Sequence, residues 1–326
     1  MNVVVLSSYN GLPYIEPQLD SILTQSLPPE IVLIRDDGST DGTIQFVENY
    51  IQNNQLKNWY LIQNSVNQGW KKNFRQLLID AQKFEPDYIF FADQDDIWYA
   101  DKIEKQVKIL NQRKDIDLLS GDLDFKFEDS KATDPHLYEF LDKDAEISKY
   151  PITRIFKAGF RQGMTLAIRN TFVKDVLDFW KEDYVLTHDM LFECIGSILG
   201  TAYNYNSPVA LQRRYSASAS GNKFIGIHDS KERHCQDLSE IVVVFQKIAV
   251  GVLEKRNSEM LSSQEEYLKW AEERCAVAKS NRTVKNIIFV FSHWKYYQQM
   301  SSRLRDIWFA FKNELKRSVV SKRSSD

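Results

Sequence analysis

Four short apolar runs recur in the first hundred residues, at intervals of about thirty residues, the length of a βαβ unit. They occupy residues 3–6, 31–34, 59–62 and 88–91. Each run is apolar throughout rather than alternating, which is typical of parallel strands covered on both faces. Helical patterns lie between the runs, so the sequence predicts an α/β fold with a parallel sheet.

A polar cluster follows each of the four runs. The carboxyl ends of parallel strands meet at one edge of a sheet, and open α/β sheets bind ligands at that edge. We therefore expect the four clusters to form one site. Their polar and small residues include Ser7, Tyr9, Asn10, Asp36, Asp37, Asn67, Gly69, Asp93 and Gln94.

The fourth cluster is the acidic sequence Asp-Gln-Asp-Asp at residues 93–96, which precedes a helical pattern that starts near residue 101. Three neighbouring carboxylates repel one another unless a cation or hydrogen bonds compensate. The pattern favours a divalent metal site over a simple turn with a helix cap. The same Asp-x-Asp spacing at residues 115–117, 122–124 and 142–144 lacks the preceding apolar strand and is interpreted as surface charge.

The motifs in this order resemble the inverting family 2 glycosyltransferases. They are Ser-x-Tyr-Asn at 7–10, Asp-Asp-Gly-Ser-Thr-Asp-Gly-Thr at 36–43, Asn-x-Gly at 67–69 and Asp-x-Asp-Asp at 93–96. The stretch 91–98 is similar to rhamnosyltransferase-like bacterial members. The resemblance covers about the first two thirds of the chain.

The resemblance implies a GT-A fold, Rossmann-like with a mostly parallel central sheet, and a C-terminal helical extension. We expect a catalytic domain at residues 1–225, with a nucleotide-binding half at 1–100 and an acceptor half at 101–225. Residues 226–326 form the helical region, since glycine and proline become rare there.

The activity implied is transfer of a sugar from a UDP- or dTDP-linked donor to a hydroxyl of a glycan, glycolipid or glycoprotein, with inversion by single displacement. Mn²⁺ or Mg²⁺ would neutralise the departing diphosphate. The resemblance gives Asp95 as the metal contact, with Asp93 contacting the metal through water or the ribose. Tyr9 either stacks on the base or packs in the core. Asp37 or Asp36 either accepts from a pyrimidine N–H or forms an Asx-type turn.

The resemblance also implies an acidic general base at the start of a helix in the middle of the chain. Asp189 follows Thr187 and His188 and precedes an apolar helical pattern. The helix dipole would keep its carboxylate ionised. His188 is the alternative base, because the ordinary pKa of histidine suits proton transfer. Otherwise Asp189 is an acid that only favours the helix start.

Further candidates lie around these positions. Lys71 reaches a phosphate or base, or is simply solvated. Gly163 and Met164, together with His188, belong to the acceptor side. Relatives often have histidine where this chain has Tyr215, which shifts the diphosphate contact to Arg213 or Arg214. The loop that follows, 214–222, is hypothesised to close over the donor as a lid.

The sequence after residue 278 is basic and aromatic, with eleven Lys or Arg against three acidic residues. Such a helix either lies peripherally on an anionic membrane or packs its aromatic side chains on the catalytic domain. No stretch has the length of a membrane span. Three widely spaced cysteines indicate a reducing compartment, so we expect the cytoplasm, free or at the inner face of the membrane.

Two other classes stay open. A sugar-nucleotidyltransferase also uses a parallel sheet with metal-binding aspartates, but the loop after residue 6 is not a glycine- and lysine-rich phosphate loop. A non-catalytic nucleotide-sugar-binding scaffold would not need both a metal site and a base. The net charge of −3 gives no reason to expect nucleic acid as a partner, and a homo-oligomer stays open.

Overall fold

The chain forms two compact units in the structure, which is a computed structural model. One unit contains residues 1–152 and 157–221, and the other contains 153–156 and 222–326. The predicted boundary at residue 225 lies outside the described residues, so the division into 1–225 and 226–326 stays a prediction. The described residues are 1–128, 142, 144–157, 160–215, 230–280 and 282–323, with side chains as far as residue 312.

The first unit begins with four parallel strands in the order β3-β2-β1-β4. These strands coincide with the four apolar runs, and three helices connect them, which confirms the predicted βαβ series. The strands are β1 (Asn2–Ser8), β2 (Ile31–Asp36), β3 (Trp59–Gln63) and β4 (Tyr88–Asp93). The helices are α1 (Ile15–Leu23), α2 (Thr43–Asn53) and α3 (Trp70–Ala81).

Burial explains why these runs form a central sheet. Residues 3–6 of β1 are 0% exposed, and so are Phe90 and Phe91 of β4. Neighbouring residues of a strand point to opposite faces, so full burial means that both faces are covered. Burial of each aliphatic or aromatic side chain of this kind contributes about 1.5–3 kcal/mol to the stability of the fold.

The sheet continues beyond β4 in the order β8-β6-β9-β5, and β7 pairs with β9. Strand β8 is antiparallel to both β4 and β6, whereas β6 and β9 are parallel. The strands are β5 (Ile97–Trp98), β6 (Leu118–Phe127), β7 (Ile147–Lys149), β8 (Ala167–Arg169) and β9 (Ala202–Arg214). The helices are α4 (Lys102–Gln112), α5 (Asn170–Leu177) and α6 (His188–Leu199), with 3₁₀ turns at Gln82–Phe84 and Gly163–Thr165.

The second unit is helical, as predicted for the C-terminal region. Its helices are α7 (Lys231–Asp237), α8 (Val244–Lys255), α9 (Leu261–Lys279), α10 (Thr283–Ser292) and α11 (Met300–Arg323). A π-helical stretch, Leu238–Val243, joins α7 to α8, and a 3₁₀ turn, Trp294–Tyr296, follows α10. Within the described residues, none of the helices has the length and apolar character needed to cross a membrane.

A buried ion-pair network fixes α11 within this unit. Asp306 accepts from Arg274 Nε at 2.7 Å and Nη2 at 2.8 Å, and its Oδ1 lies 3.0 Å from His234 Nε2. Tyr297 donates to the same carboxylate at 2.6 Å. Burial raises the pKa of Asp306, but the charge of Arg274 and the hydrogen bonds outweigh it and lower the pKa. The network therefore stabilises the ionised carboxylate.

Candidate active site

The register of the parallel strands brings the predicted clusters together. Ser8 at the end of β1 is opposite Asp36 at the end of β2, and Ser7 is opposite Asp93 at the end of β4. The strand ends therefore meet at one edge, as the sequence predicted. Asn73 of α3 donates to Ser7 Oγ at 2.7 Å and ties this edge to the helix behind it.

The carboxylate of Asp36 holds the loops after β1 and β2. It is fully buried and accepts from Ser8 Oγ at 2.8 Å, from Ser39 N at 2.7 Å and from Ser39 Oγ at 2.6 Å. Ser39 Oγ in turn accepts from Asn10 N, and Asn10 Oδ1 accepts from Thr40 N. The first and second clusters are thus joined by hydrogen bonds, and Asp36 holds the turn through the backbone and side chain of Ser39, three residues on.

Asp37 serves the third cluster in the same way. Its side chain is buried and accepts from Asn64 Nδ2 at 2.8 Å, from Gln68 N at 2.9 Å and from Gly69 N at 2.8 Å. Gly69 has φ +86° and immediately precedes α3, and Asn67 Oδ1 also accepts from its N–H. Asp37 therefore holds the loop that leads into α3, and a direct contact with a base stays a prediction.

Gln94 connects the acidic motif to the first loop. Its Oε1 accepts from Tyr9 N at 2.8 Å, and its Nε2 donates to Tyr9 O at 3.1 Å. A Cβ on Gly11 would lie 2.3 Å from Gln94 Oε1, so only glycine leaves room for this side chain. The contact holds the backbone of Tyr9 while 47% of the Tyr9 side chain is exposed. Exposure excludes core packing as the role of that ring.

Three carboxylates crowd the end of β4. Burial, with the charges of Asp95 and Asp189, raises the pKa of Asp93 to about 7. Burial also raises the pKa of Asp95, although Arg213 and Arg214 lower it. The pKa of Asp96 is raised well above its usual value by burial and by its two neighbours. The site therefore has more negative charge than the protein compensates.

This environment fits a divalent cation. Asp93 and Asp95 are partly exposed and carry hard oxygen ligands, whereas Asp96 is buried, and its Oδ2 has no hydrogen-bond partner among the described residues. Within the described ranges, no three His, Cys, Asp or Glu side chains converge as a metal-binding group. Mg²⁺ commonly takes one or two carboxylates and completes its shell with water and substrate phosphates. Asp95 and Asp93 are the residues that would hold the ion.

Asp189 lies in the first turn of α6 and is partly exposed. Thr187 precedes the helix, but its side chain makes no cap hydrogen bond. Asp189 is close enough to Asp93 that its charge contributes to the raised pKa there. The predicted base therefore shares a site with the acidic motif, although 96 positions separate them in the sequence.

His188 is buried within aromatic rings. Its ring centroid lies 4.0 Å from that of Phe74 and 4.7 Å from that of Phe91, and Trp70 contacts it edge-on. Burial lowers the pKa of His188 to about 4. A Cβ on Gly163 would lie 2.6 Å from His188 Nε2, so glycine is needed there to admit the imidazole. Burial of the ring makes it a weak proton acceptor near neutral pH, which favours Asp189 over His188, and the assignment of the base stays a prediction.

Behind Asp189, one turn further along α6, lies a second acid that the sequence did not single out. Glu193 is fully buried and accepts at 2.9 Å from both Tyr150 OH and Arg161 N. Burial, followed by the charge of Asp189, raises the pKa of Glu193 well above its usual range. The i, i+4 spacing of the two acids was the available signal.

Aromatic rings surround the predicted cationic residues. Arg213 pairs with Glu128 at 2.9 Å and lies over the rings of Tyr14 and Tyr215, which are 4.6 Å apart. Lys71 lies over Trp70 at 5.7 Å. The sequence analysis missed Tyr14, Trp70 and Glu128. Only the exposed Trp70, next to the Asn-x-Gly motif, gave a signal in the sequence.

Two other predicted site residues are buried. They are Arg214, at the end of β9, and Met164, in the 3₁₀ turn that starts at Gly163.

The predicted lid lies largely outside the described residues, since of positions 214–222 only Arg214 and Tyr215 are described. The lid therefore stays a prediction.

A comparison with protein families decides the class. The model for the family described as glycosyl transferase family 2 matches residues 3–194, more than half of the chain. The chain belongs to glycosyl transferase family 2. The match runs from β1 into α6 and so includes all four strand-end clusters and Asp189.

Curated relatives and a solved structure agree with this family assignment. The chain is 41% identical over 109 residues to the dTDP-rhamnosyl transferase RfbG of Shigella flexneri, covering 32% of this chain and 36% of that protein. It is 34% identical over 96 residues to the poly(ribitol-phosphate) beta-N-acetylglucosaminyltransferase TarS of Staphylococcus aureus, covering 28% of this chain and 16% of that protein. The chain thus spans well under half of either relative.

The crystal structure of residues 1–349 of S. aureus TarS in complex with UDP covers 82% of this chain and 69% of its own, with a TM-score of 0.54 at 20% identity. This likeness shows a shared fold. Together with the family match it confirms the predicted GT-A fold, and the resemblance to rhamnosyltransferase-like bacterial members of the family is confirmed as well.

Proposed function

We propose that this chain is a metal-dependent glycosyltransferase that moves a sugar from a UDP- or dTDP-linked donor to an acceptor hydroxyl, with inversion. The observation that carries the proposal is that His188, next to Asp189 at the start of α6, stacks on Phe91 of β4 at 4.7 Å, which brings the helix start to the strand that ends at Asp93. A base on one side and a leaving-group site on the other are what a single displacement requires.

In the proposed reaction, the acceptor hydroxyl loses its proton to Asp189 as its oxygen bonds to the anomeric carbon. The bond between that carbon and the diphosphate oxygen breaks, and its electron pair leaves with the nucleoside diphosphate. A bound Mn²⁺ or Mg²⁺ would supply charge neutralisation for the diphosphate. Arg213 lies on the same side, since its charge acts on Asp95.

Donor recognition is proposed to use the exposed ring of Tyr9, held in place by Gln94. Base stacking on such a ring contributes about 1–3 kcal/mol. The identity to a dTDP-rhamnosyl transferase covers about a third of the chain, which makes dTDP-rhamnose the first donor to test. The acceptor is proposed to be a hydroxyl of a glycan, glycolipid or glycoprotein. The enzyme is proposed to act in the cytoplasm or at the inner face of the membrane.

Turnover of a donor panel tests the proposal. UDP- and dTDP-sugars, including dTDP-rhamnose and UDP-GlcNAc, are incubated with the chain and Mn²⁺ or Mg²⁺, and release of the nucleoside diphosphate is measured. We expect release that EDTA abolishes. Asp189→Asn should lose transfer by about two to four orders of magnitude, the usual contribution of a general base, while donor binding persists. Asp183→Asn, an exposed acid six residues earlier, is the matched control.

The outcomes separate the classes. Release of pyrophosphate from a nucleoside triphosphate and a sugar phosphate would instead identify a nucleotidyltransferase. Donor binding without any turnover, in the presence of metal and a range of acceptors, would identify a scaffold. Full activity of Asp189→Asn would refute the assigned base, and a retained anomeric configuration in the product would refute inversion.

A further inference from the structure

Helix α10 exposes an apolar stripe. Val284, Ile288 and Phe291 follow one another at i, i+4 and i+7, which places them on one face of a helix, and their exposed fractions are 61–68%. The opposite face carries Phe289 and Val290, which are buried in the core of the second unit. The exposed stripe is therefore additional to the apolar surface that folding uses.

Helix α11 repeats the pattern. Leu304, Trp308 and Phe311 have the same i, i+4 and i+7 spacing, Met300 extends the stripe by one turn, and all four are 47–60% exposed. Their helix is held from its other side, where the Asp306 network buries it. Isolated exposed apolar residues are ordinary, but seven of them in two regular stripes are not.

The two helices form a hairpin that fixes the stripes in position. Thr283 at the start of α10 donates through Oγ1 to Ala310 O in the middle of α11, at 2.9 Å. At the connection, the ring of Phe291 stacks on Trp294 at 5.7 Å, and the Arg303 guanidinium lies 4.0 Å from the centre of the Trp294 ring. An aromatic cluster therefore joins the stripes where the hairpin turns.

The charge of the hairpin is positive. Between residues 282 and 312, Asp306 is the only acidic residue of the sequence, and it is buried against Arg274. On the wheel of α11, Arg305 and Lys312 lie on one side of the apolar stripe and Arg303 on the other. The basic residues of this stretch are Arg282, Lys285, Lys295, Arg303, Arg305 and Lys312.

We propose that the α10–α11 hairpin is a docking surface for a bilayer that contains anionic lipids. Apolar stripes with tryptophan and phenylalanine, flanked by lysine and arginine, are what enters the boundary between headgroups and acyl chains. A second copy of this chain fits less well, because a symmetric contact would bring two positively charged surfaces together. The surface is independent of the proposed sugar transfer and would bring the enzyme to acceptors carried by lipids.

Co-sedimentation of the full chain with vesicles tests the proposal. We expect binding to phosphatidylcholine vesicles that contain phosphatidylglycerol, little binding to phosphatidylcholine alone, and weakening by salt. Ile288→Asp places a charge in the stripe and should reduce binding at least about tenfold. Ile152→Asp is the matched control, since Ile152 is similarly exposed at 54% but lies outside the hairpin. Both positions are exposed, so both variants should fold, which circular dichroism verifies.

The charges are tested separately. Lys285→Glu combined with Lys295→Glu should reduce binding to anionic vesicles by about the same factor, whereas Lys57→Glu with Lys108→Glu should not. Equal binding of the two double variants to anionic vesicles, or no binding of the wild type to them, would overturn the proposal. So would self-association in sedimentation velocity that Ile288→Asp abolishes without any lipid binding. Asp189→Asn should bind vesicles like the wild type, which separates this proposal from the proposed catalysis.

Discussion

Substituting Gly11 by alanine should weaken the link between the first loop and the acidic motif. The new Cβ would lie 2.3 Å from Gln94 Oε1 and 2.6 Å from Cδ, so the side chain of Gln94 must move away. The φ angle of Gly11 is not in the left-handed region, so the backbone itself accepts alanine. The loss is then that of the two hydrogen bonds to Tyr9, each about 0.5–1.5 kcal/mol, or about 1–3 kcal/mol together.

A double-mutant cycle isolates this contact. Gln94→Ala alone removes the same two hydrogen bonds, and in the double variant the alanine at position 11 meets no carboxamide. The free energies of unfolding, from urea titrations followed by circular dichroism, should therefore be less than additive by about 1–3 kcal/mol. The affinity for the nucleotide donor should fall in each single variant, because Tyr9 is no longer fixed.

Gln52→Ala provides the control for this cycle, since Gln52 is exposed on α2. Its effect should add to that of Gly11→Ala within about 0.3–0.5 kcal/mol. If Gly11→Ala and Gln94→Ala were also additive, the proposed contact between them would be wrong.

Two further predictions concern buried ionisable groups. Burial lowers the pKa of His188 from 6.5 to about 4, so its neutral ring stabilises the fold above pH 6.5, and this contribution is lost as the pH falls toward 4. Between pH 7.5 and 4.5, the free energy of unfolding from urea titrations should fall by about 2–3 kcal/mol more in the wild type than in His188→Phe. An equal dependence of that free energy on pH in the two proteins would refute the burial of a neutral ring. Asp306→Asn leaves Arg274 buried without its counter-charge and should cost about 3–5 kcal/mol, whereas Asp115→Asn, which breaks an exposed pair with Arg113, should cost about 0–1 kcal/mol. Thermal unfolding measures this difference, and equal costs would contradict it.

The sequence predicted those parts of the fold that local pattern determines. The four apolar runs became β1 to β4, and the helical pattern after residue 101 became α4. Asp189 was placed correctly in the first turn of α6, because an acid before an apolar helical stretch is a local signal. The meeting of the strand ends followed from the geometry of parallel strands rather than from any single residue.

The contacts between clusters could not be predicted, because they join residues far apart in the sequence. Gln94 was assigned to the donor site, but its hydrogen bonds to Tyr9 span 85 positions. The rings of Phe74 and Phe91, which bury the alternative base His188, also come from distant parts of the sequence. Its neighbour Asp189 carries almost the same sequence signal, and burial alone distinguishes the two.

The carboxylate of Asp37 has a consequence for how this enzyme handles phosphate. Many nucleotide-binding folds receive a phosphate on the free N–H groups at the start of a helix. Here the N–H groups of Gln68 and Gly69 are already occupied by an anion that belongs to the protein. A phosphate could bind to these two N–H groups, just before α3, only by displacing the carboxylate of Asp37.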